Sequence, residues 1–415
     1  MNIIIISQVF WPDTVATGQV LWDLAESLQE KGHSVKVFCS RYPYENKKNK
    51  YKKSEIKNGV KIERINHTGF GKSSTLGRLF DFTTFNILIF FKLFFVSHDS
   101  CDGIIGTSAP PLLCSLGTFV AKLKRIPFCY WALDIQPEIA IASNMIRHNS
   151  TTAKVLTKIG HYTIKNANLI LALDKYMQEY LIEKGANKKN VFVFPIWPVM
   201  DKTYIGERMQ NPFRLENGFG NKIVVMYSGN HAYVHPLNTL LNVANELRND
   251  SRFLFVFVGG GIRKKDVSNF KTQHKLKNIQ LLDFQPRENI NISLSSADLQ
   301  VVIMGESQVG FTHPNKIYGA LFLGKPILYI GPDRSHIMDI LNYLEGNISV
   351  LHSESDKLKN ELLAFVLKSE NEINCIGKAN MIYAKEKFHP KVLKNKIIEV
   401  IEKSFIQSKI PTQME

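Results

Sequence analysis

The 415-residue sequence has few cysteines and no long uncharged apolar run. Its five cysteines include no Cys-x-x-Cys pair, so neither a disulfide framework nor a zinc site is expected, and a reducing compartment fits best. No stretch of about 18 uncharged apolar residues occurs that would predict a spanning helix. No basic segment precedes the first apolar stretch, residues 3–6, so no signal peptide is predicted. A cytoplasmic protein is therefore expected.

Common signatures of nucleotide-dependent enzymes and hydrolases are also absent. No Walker A, His-Glu-x-x-His or Gly-x-Ser-x-Gly motif occurs. Gly259-Gly260-Gly261 follows a predicted strand but lacks the third glycine of the dinucleotide fingerprint at the required spacing. These absences argue against a P-loop NTPase or an ordinary NAD dehydrogenase. No Asp-x-Asp metal motif is present either, so neither a metal ion nor a cofactor is expected.

Acidic residues are in deficit, with 52 Lys and Arg against 37 Asp and Glu, a formal charge of +15. This excess favours a polyanionic neighbour, namely nucleic acid, an anionic membrane surface or a phosphorylated substrate. No nucleic-acid-reading motif is recognised, so nucleic acid is the least expected partner. Lysines are densest in residues 47–57, which predicts either a solvated basic loop or a segment that meets anionic headgroups.

Residues 79–96 are rich in phenylalanine, leucine and isoleucine, interrupted by Asp81 and Lys92. A helix that is apolar on nearly all sides is normally buried. The alternative is a segment whose aromatic side chains dip into one leaflet, with the basic loop nearby on anionic lipid. Both interpretations stay open, and the second adds a peripheral position on the cytoplasmic face of the inner membrane.

Short apolar runs alternate with amphipathic stretches along almost the whole chain, which predicts parallel sheets with helices on both faces. Strands are predicted at residues 3–7, 35–39, 103–106, 128–133, 169–173, 191–194, 222–228, 253–258, 279–282, 299–303 and 326–330. Helices are predicted at residues 19–31, 151–165, 175–184, 236–247, 379–388 and 392–404. Because a strand–glycine–helix unit recurs near residue 222, we expect two doubly wound domains. Their predicted bounds are 1–198, completed by 386–415, and 199–385.

Two loops of the first predicted domain carry candidate site residues at strand C-terminal ends, where open α/β sheets bind ligands. Gly18, just ahead of a predicted helix, would let backbone N–H groups approach an anion, although a simple turn glycine explains it equally well. Asp134 and Glu138 follow an apolar strand, where a carboxylate can orient or deprotonate a hydroxyl. A helix N-cap role is the alternative for Asp134.

In the second predicted domain, residues 312–328 have the pattern of loop, helix, glycine cap and strand. Pro314 and Asn315 suit the first positions of a helix. Lys316 then lies in its first turn, where the helix dipole disfavours a cation. A bound anion at the helix start would explain this cation; the alternative is a solvent-facing lysine.

These residues match the pattern of a known family. The chain resembles bacterial GT-B glycosyltransferases of family 4, particularly the branch that builds colanic acid, O-antigen and capsule repeat units. The matching segments span nearly the whole chain in order: 10–19, 134–138, 194–197, 227–230, 258–261 and 313–326. The Pro-Asn-Lys…Gly-Lys-Pro segment is the most specific of them.

The resemblance implies two Rossmann-like domains facing across a cleft, with a C-terminal helix that returns to the first domain. It also implies transfer of a sugar, with retention and without a metal, from a nucleotide diphosphate donor to an acceptor at the first domain. The acceptor would be a polyprenyl-diphosphate-linked glycan. Catalytic roles fall on Asp134, Glu138 and Lys316, and the implied donor-binding residues are Gly18, Gly229, Asn230, Arg263, Lys264, Gln285, Arg287, Pro314, Asn315, Lys316 and Ile317.

Some positions depart from the family pattern. Asn230 and His235 stand where relatives commonly have an Arg and a Lys for the diphosphate. Gly319 stands where many relatives hold the donor ribose with a glutamate, and Glu306 is a speculative substitute. Charge compensation would then fall on Lys316, with Arg263 or Lys264 as further candidates.

Two other functions remain open from the sequence. One is a UDP-N-acetylhexosamine 2-epimerase of the same fold, which would act on the nucleotide sugar without an acceptor. The other is a non-catalytic scaffold at an assembly membrane, which need not bind a nucleotide. An assay with donor alone and a nucleotide-binding measurement separate these from a transferase.

Overall fold

The structure is a computed structural model of the chain that describes residues 1–13, 15–44, 49–71, 75–198 and 206–409. The chain divides into two compact units. The first comprises Met1–Pro195, Gly310–His313 and Pro390–Glu415, and the second Ile196–Val309 and Pro314–His389. The change of unit after Pro195 falls close to the predicted bound at 198, whose following residue, Val199, lies outside the described residues.

The first unit is built on an eight-stranded sheet with the strand order β3-β4-β2-β1-β5-β6-β7-β8. All neighbours are parallel except β3 and β4. The strands are β1 (Asn2–Ile6), β2 (Ser34–Ser40), β3 (Ser54–Lys57), β4 (Val60–Ile65), β5 (Gly103–Thr107), β6 (Phe128–Trp131), β7 (Leu169–Ala172) and β8 (Val191–Val193). Its helices are α1 (Ala16–Glu30), α2 (Thr75–Phe94), α3 (Leu113–Leu123), α4 (Glu138–Ala142), α5 (Thr151–Asn166) and α6 (Lys175–Glu183). Central strands such as β1 are apolar on both faces because helices cover both sides of a parallel sheet.

The second unit has a six-stranded sheet, all parallel, in the order β11-β10-β9-β12-β13-β14. Its strands are β9 (Ile223–Ser228), β10 (Phe253–Val258), β11 (Ile279–Leu282), β12 (Leu299–Ile303), β13 (Ile327–Ile330) and β14 (Ile348–Val350). Its helices are α7 (Pro212–Glu216), α8 (Asn238–Glu246), α9 (Lys264–Gln273), α10 (Ile290–Ser295), α11 (Lys316–Phe322), α12 (His336–Leu341), α13 (Ser355–Phe365) and α14 (Glu370–Lys387). The expectation of two doubly wound α/β units is confirmed.

The last helix, α15 (Pro390–Gln407), belongs to the first unit, as the resemblance implied. Its Phe405 packs where a side chain on Gly103 would otherwise lie, at the start of β5. Glu402 bonds to the His33 ring at 2.7 Å, and Lys409 pairs with Asp102. These contacts anchor α15 at the amino-terminal ends of the interior strands β2 and β5.

The lysine-rich segment is only partly a loop. Lys47 and Lys48 lie outside the described residues, whereas residues 54–57 form the edge strand β3, so the interpretation of 47–57 as one loop is wrong at its end. The strand pairs with β4 through a turn at Asn58 and Gly59, which have φ of 48° and 80°. Asn-Gly with two positive φ angles is the preferred two-residue hairpin turn.

Helix α2 is buried on one face only, so the interpretation as a wholly buried helix is wrong. Phe85 and Ile89 are fully buried, and Leu93 is 1% exposed. On other sides of the helix, Phe80 and Phe91 keep 57% and 51% of their surface in solvent. In the part of the chain that the structure describes, no helix is both long and apolar enough to cross a membrane.

Candidate functional site

The loops that follow β9 and β10 touch each other through their backbones. Gly229 and Gly259 have φ of 126° and 121°, and a Cβ on Gly259 would collide with the Gly229 carbonyl oxygen. A Cβ on Gly261 would collide with the Asn230 side chain. Only glycine fits at these positions, because an L side chain is disfavoured at positive φ and has no room here. The glycines therefore bring two strand ends together.

Lys316, the first residue of α11, reaches this pair of loops. Its Nζ lies 3.5 Å from the centroid of the Tyr227 ring on β9 and would be 3.4 Å from a Cβ on Gly229. The residue is partly buried, but its ammonium nitrogen is shielded from solvent and has no hydrogen-bond acceptor among the described residues. The alternative of a solvent-facing lysine is therefore wrong.

No carboxylate contributes to the electrostatics of this lysine among the described residues. Burial lowers the pKa of Lys316 well below its usual value. Burial and the nearby lysine also lower the pKa of His235 to about 3, and burial, followed by Lys316 and Lys264, lowers that of His231 to about 4. Both imidazoles are neutral at pH 7, so neither adds a charge beside the Lys316 ammonium.

The other two cationic residues predicted to bind the sugar donor, Arg263 and Lys264, already have acidic partners. The Arg263 guanidinium donates to Asp266 at 2.8 Å, and Lys264 donates to the Leu282 carbonyl at 2.9 Å and to Asp283 at 2.7 Å. These pairs neutralise both charges locally.

The remaining predicted donor residues of this unit are spread over two loops. Gln285 donates its side-chain amide to the Asp283 carbonyl at 3.0 Å. Arg287 begins a 3-10 turn, and its side chain lies outside the described residues. Pro314 is buried, Asn315 is the N-cap of α11 without a side-chain cap bond, and Ile317 is fully buried. The Ile317 side chain is therefore part of the core, and only its backbone could meet a ligand.

Two positions that bear on ribose recognition are separated along the chain. Gly319 lies within α11 and is partly exposed, while Glu306 begins the 3-10 turn Glu306–Gln308 and is exposed. The role of Glu306 stays a prediction.

In the first unit, Gly18 lies inside α1 and not ahead of it, which corrects the prediction from sequence. The helix begins at Ala16, and a Cβ on Gly18 would be 3.1 Å from Val9 Cγ1. The glycine lets the first turn pack against the loop that precedes it. Its N–H is one of the first-turn groups without an intrahelical acceptor, since the first helical bond is donated by Gln19 to Val15.

The two predicted acidic residues differ in environment. Asp134 is exposed, and its backbone N–H donates to Ser108 Oγ at 3.0 Å. Dense protein around Asp134 raises its pKa to about 7 through desolvation, and its exposure leads us to expect a smaller rise. Glu138 is buried, with Oε1 accepting from the Tyr180 hydroxyl at 2.6 Å and lying 3.4 Å from His161 Nε2. Glu138 thus fastens the start of α4 to α5 and α6.

Tyr227 and His231 were missed as site residues. The sequence places Tyr227 in a predicted strand and in the matching segment 227–230 but gives it no role, although its place two residues before Gly229 is an available signal. The Tyr227 hydroxyl donates to the Asn230 carbonyl at 2.9 Å, and its ring meets His231 edge-on at 5.0 Å. These contacts fix the Tyr227 ring, against which the Lys316 ammonium lies.

Solved structures share this architecture over nearly the full chain. No protein-family model matches the chain. The crystal structure of Anabaena Alr3699/HepE with UDP and glucose superposes with a TM-score of 0.72, at 16% identity, over 97% of this chain and 100% of that one. Sucrose-phosphate synthase from Thermosynechococcus elongatus gives a TM-score of 0.75 at 13% identity, over 98% and 100%. The fold of the chain is therefore GT-B.

A sequence relative narrows the comparison. The putative colanic acid biosynthesis glycosyl transferase WcaI of Escherichia coli K12 is 24% identical over 336 residues, which is 78% of this chain and 82% of WcaI. The resemblance to the colanic acid branch is thereby confirmed, and the chain is an enzyme of the glycosyltransferase class. Membership in family 4 and a role in O-antigen or capsule synthesis stay predictions.

Proposed function

We propose that the protein transfers a sugar from a nucleotide diphosphate donor to a polyprenyl-diphosphate-linked glycan during surface polysaccharide biosynthesis. The observation that carries this proposal is the buried Lys316 ammonium, which has no acceptor in the part of the chain that the structure describes. Departure of a nucleoside diphosphate needs positive charge aimed at the leaving phosphate. HepE with UDP and the colanic acid relative support the choice of donor and pathway class.

Transfer with retention and without a metal fits the residues of the second unit. Lys316 would neutralise the leaving diphosphate, with the first N–H groups of α11 adding partial positive charge. The departing phosphate oxygen can itself take the acceptor proton on the same face, so no enzymic nucleophile is required. Arg263 and Lys264 would contribute less, because each already has an acidic partner.

The first unit would hold the acceptor in this proposal. Asp134 has the access to solvent that an incoming hydroxyl requires. Desolvation raises its pKa above that of an ordinary aspartate, which suits a carboxylate that accepts a hydrogen bond or a proton from that hydroxyl. Glu138 would act indirectly, by fixing the loop that carries Asp134 through its bond to Tyr180.

Sugar transfer is expected to survive EDTA. Membranes containing the polyprenyl-linked precursor would be incubated with a panel of nucleotide sugars, and radiolabel in the lipid fraction would be measured. Equal rates with and without chelator are expected, since the charge on the leaving group would be met by Lys316. An absolute requirement for Mg²⁺ or Mn²⁺ would contradict the metal-free proposal. Conversion of the nucleotide sugar without added acceptor would indicate an epimerase.

A peripheral position on the cytoplasmic face of the membrane is the second part of the proposal. The exposed face of α2 and the two residues after it carry large apolar side chains, with Phe91 at 51% and Phe95 at 79% exposure. Cations accompany them: Lys124 lies 5.5 Å from the Phe94 ring and donates to the Val96 carbonyl, and Lys92 is near Glu63. Aromatic side chains interleaved with cations are typical of interfacial membrane binding.

Replacing Phe91 and Phe95 together with serine is expected to weaken binding to liposomes that contain anionic phospholipid by at least about tenfold. Each phenyl ring that leaves water contributes roughly 1.5–3 kcal/mol. Co-sedimentation measures the bound fraction, and high salt should weaken binding further through the lysines, including Lys50, Lys52 and Lys53. Leu367→Ser, at a residue 78% exposed in the second unit, is the control. Equal binding by the double variant and wild type would show that this face does not meet lipid.

A further inference from the structure

The Lys316 ammonium has an aromatic ring where a buried cation usually has a carboxylate. Its Nζ lies 3.5 Å from the Tyr227 ring centroid, closer than any other cation over a ring in the described part of the chain. The nitrogen is buried, and no residue that the structure describes accepts a hydrogen bond from it. A ring face attracts a cation through its quadrupole but accepts none of the three N–H bonds fully. The ammonium is thus held in place and left unsatisfied.

The Tyr227 ring is itself fixed from several sides. It is fully buried, and its hydroxyl donates to the Asn230 carbonyl at 2.9 Å. His231 packs edge-on against it at 5.0 Å, and His235 at 6.3 Å. The ring cannot move without disturbing the loop after β9, so it defines where the lysine lies.

We propose that Tyr227 is a positioning residue of the donor site, whose ring holds the Lys316 ammonium in place until a diphosphate completes its hydrogen bonds. This inference rests on the proposed function. It assigns to an aromatic ring the task of fixing a cation without neutralising it, which leaves the full charge for the ligand.

The groups around the Lys316 ammonium make the binding of a diphosphate depend on pH. The titratable groups facing it are Tyr227, His231 and His235, with Lys264 beyond His231, and none of them is an acid. Burial lowers the pKa of Lys316 in the free protein, and a bound diphosphate would raise it. Binding therefore takes up protons at pH values between the two pKa values. Affinity is fully present below the free-protein pKa and declines as pH rises through it, by up to about tenfold per pH unit.

The test is calorimetric titration of the full chain with UDP, and with GDP and ADP in turn, between pH 7.5 and 9.5. A terminal phosphate has its second pKa near 6, so the phosphates do not titrate in this range. The uracil and guanine rings begin to lose a proton near its upper end and adenine does not, so proton uptake with UDP and GDP is compared at the lower end of the range. Buffers of different ionisation enthalpy give the number of protons taken up. Wild type should take up a fraction of one proton and bind more weakly as pH rises. Lys316→Arg should bind with no proton uptake and a flat profile, because arginine stays charged.

Variants of Tyr227 separate its ring from its hydroxyl. Tyr227→Phe should keep the wild-type profile. Tyr227→Leu should weaken binding about 3- to 30-fold, the range of a cation–π contact, and shift the decline to lower pH. A merely structural role for the ring would not move that midpoint. Should Tyr227→Leu fail to fold, Tyr227→Met takes its place, because Tyr227→Phe and Lys316→Arg both keep an aromatic ring at this position.

Two results overturn the inference while leaving the proposed function intact. One is nucleotide binding by wild type with a flat pH profile and no proton uptake. The other is a folded Tyr227→Leu variant with wild-type affinity and midpoint. Failure of wild type to bind any of the three nucleotides would instead count against the proposed donor site, and so against the proposed function itself.

Discussion

Lys316→Ala is expected to lower kcat/KM for sugar transfer by about 10- to 150-fold. A charge-assisted hydrogen bond contributes roughly 1.5–3 kcal/mol, and each 1.36 kcal/mol of barrier is about tenfold in rate. The buried ammonium has no acceptor within the described ranges, so its removal takes away a group whose hydrogen bonds a ligand would complete. Initial rates with the best nucleotide sugar of the panel measure the effect.

Two further variants separate charge from volume at this position. Lys316→Met keeps most of the side-chain length over the Tyr227 ring without a charge, and should lose as much activity as alanine. Lys316→Arg keeps the charge with different reach and should recover part of the loss. If methionine were as active as lysine, the positive charge would not be what the reaction uses.

The control lysine must be one that solvent surrounds. Lys325, which follows α11, does not qualify, because burial lowers its pKa to about 8. Lys265 on α9 is exposed and lies in the same unit, so Lys265→Ala should leave kcat/KM unchanged. Full activity of Lys316→Ala would mean that the diphosphate is bound by Arg263, by Lys264 or by the first unit. The acidic partners of Arg263 and Lys264 make that outcome unexpected.

Most of the sheet architecture could be predicted because buried parallel strands are continuous apolar runs. The predicted strands at 253–258, 279–282 and 299–303 agree with β10, β11 and β12 at both ends. The edge strands β3 and β14 are not predicted from the sequence, since an edge strand need not be apolar on both faces. The Asn58-Gly59 pair was the available signal for the hairpin of β3 and β4, and the surrounding lysines hid it.

The candidate site was only half predictable for a different reason. Backbone features, such as the glycine loops and the start of α11, follow local sequence and were found. The partner of a side chain depends on strand order, which brings Tyr227 of β9 beside Lys316, nearly ninety residues further along. Likewise, the acidic partners of Arg263 and Lys264 appear only once the helix and the loop after β11 are in place.

Tertiary contacts also determine the partners of a buried carboxylate in the second unit, that of Asp298. Asp298, just before β12, is 4% exposed and accepts from the Val224 N–H at 2.7 Å and from Arg214 at 3.2 Å. It also accepts from Arg208 at 3.1 Å. Arg214 is 1% exposed and donates in addition to the Ser296 carbonyl at 2.8 Å. This cluster ties the segment that enters the unit to the first and fourth strands along its chain.

Asp298→Asn is therefore expected to destabilise the second unit by about 3–5 kcal/mol, because it leaves buried Arg214 and half-buried Arg208 without their counter-ion. Urea unfolding followed by circular dichroism, with Trp197 fluorescence as the probe in this unit, measures the change. Glu246→Gln makes the same chemical change at the exposed Lys359 pair and should cost about 0–1 kcal/mol. A loss at Asp298 no larger than at Glu246 would mean that the remaining backbone and side-chain bonds satisfy both arginines without the negative charge.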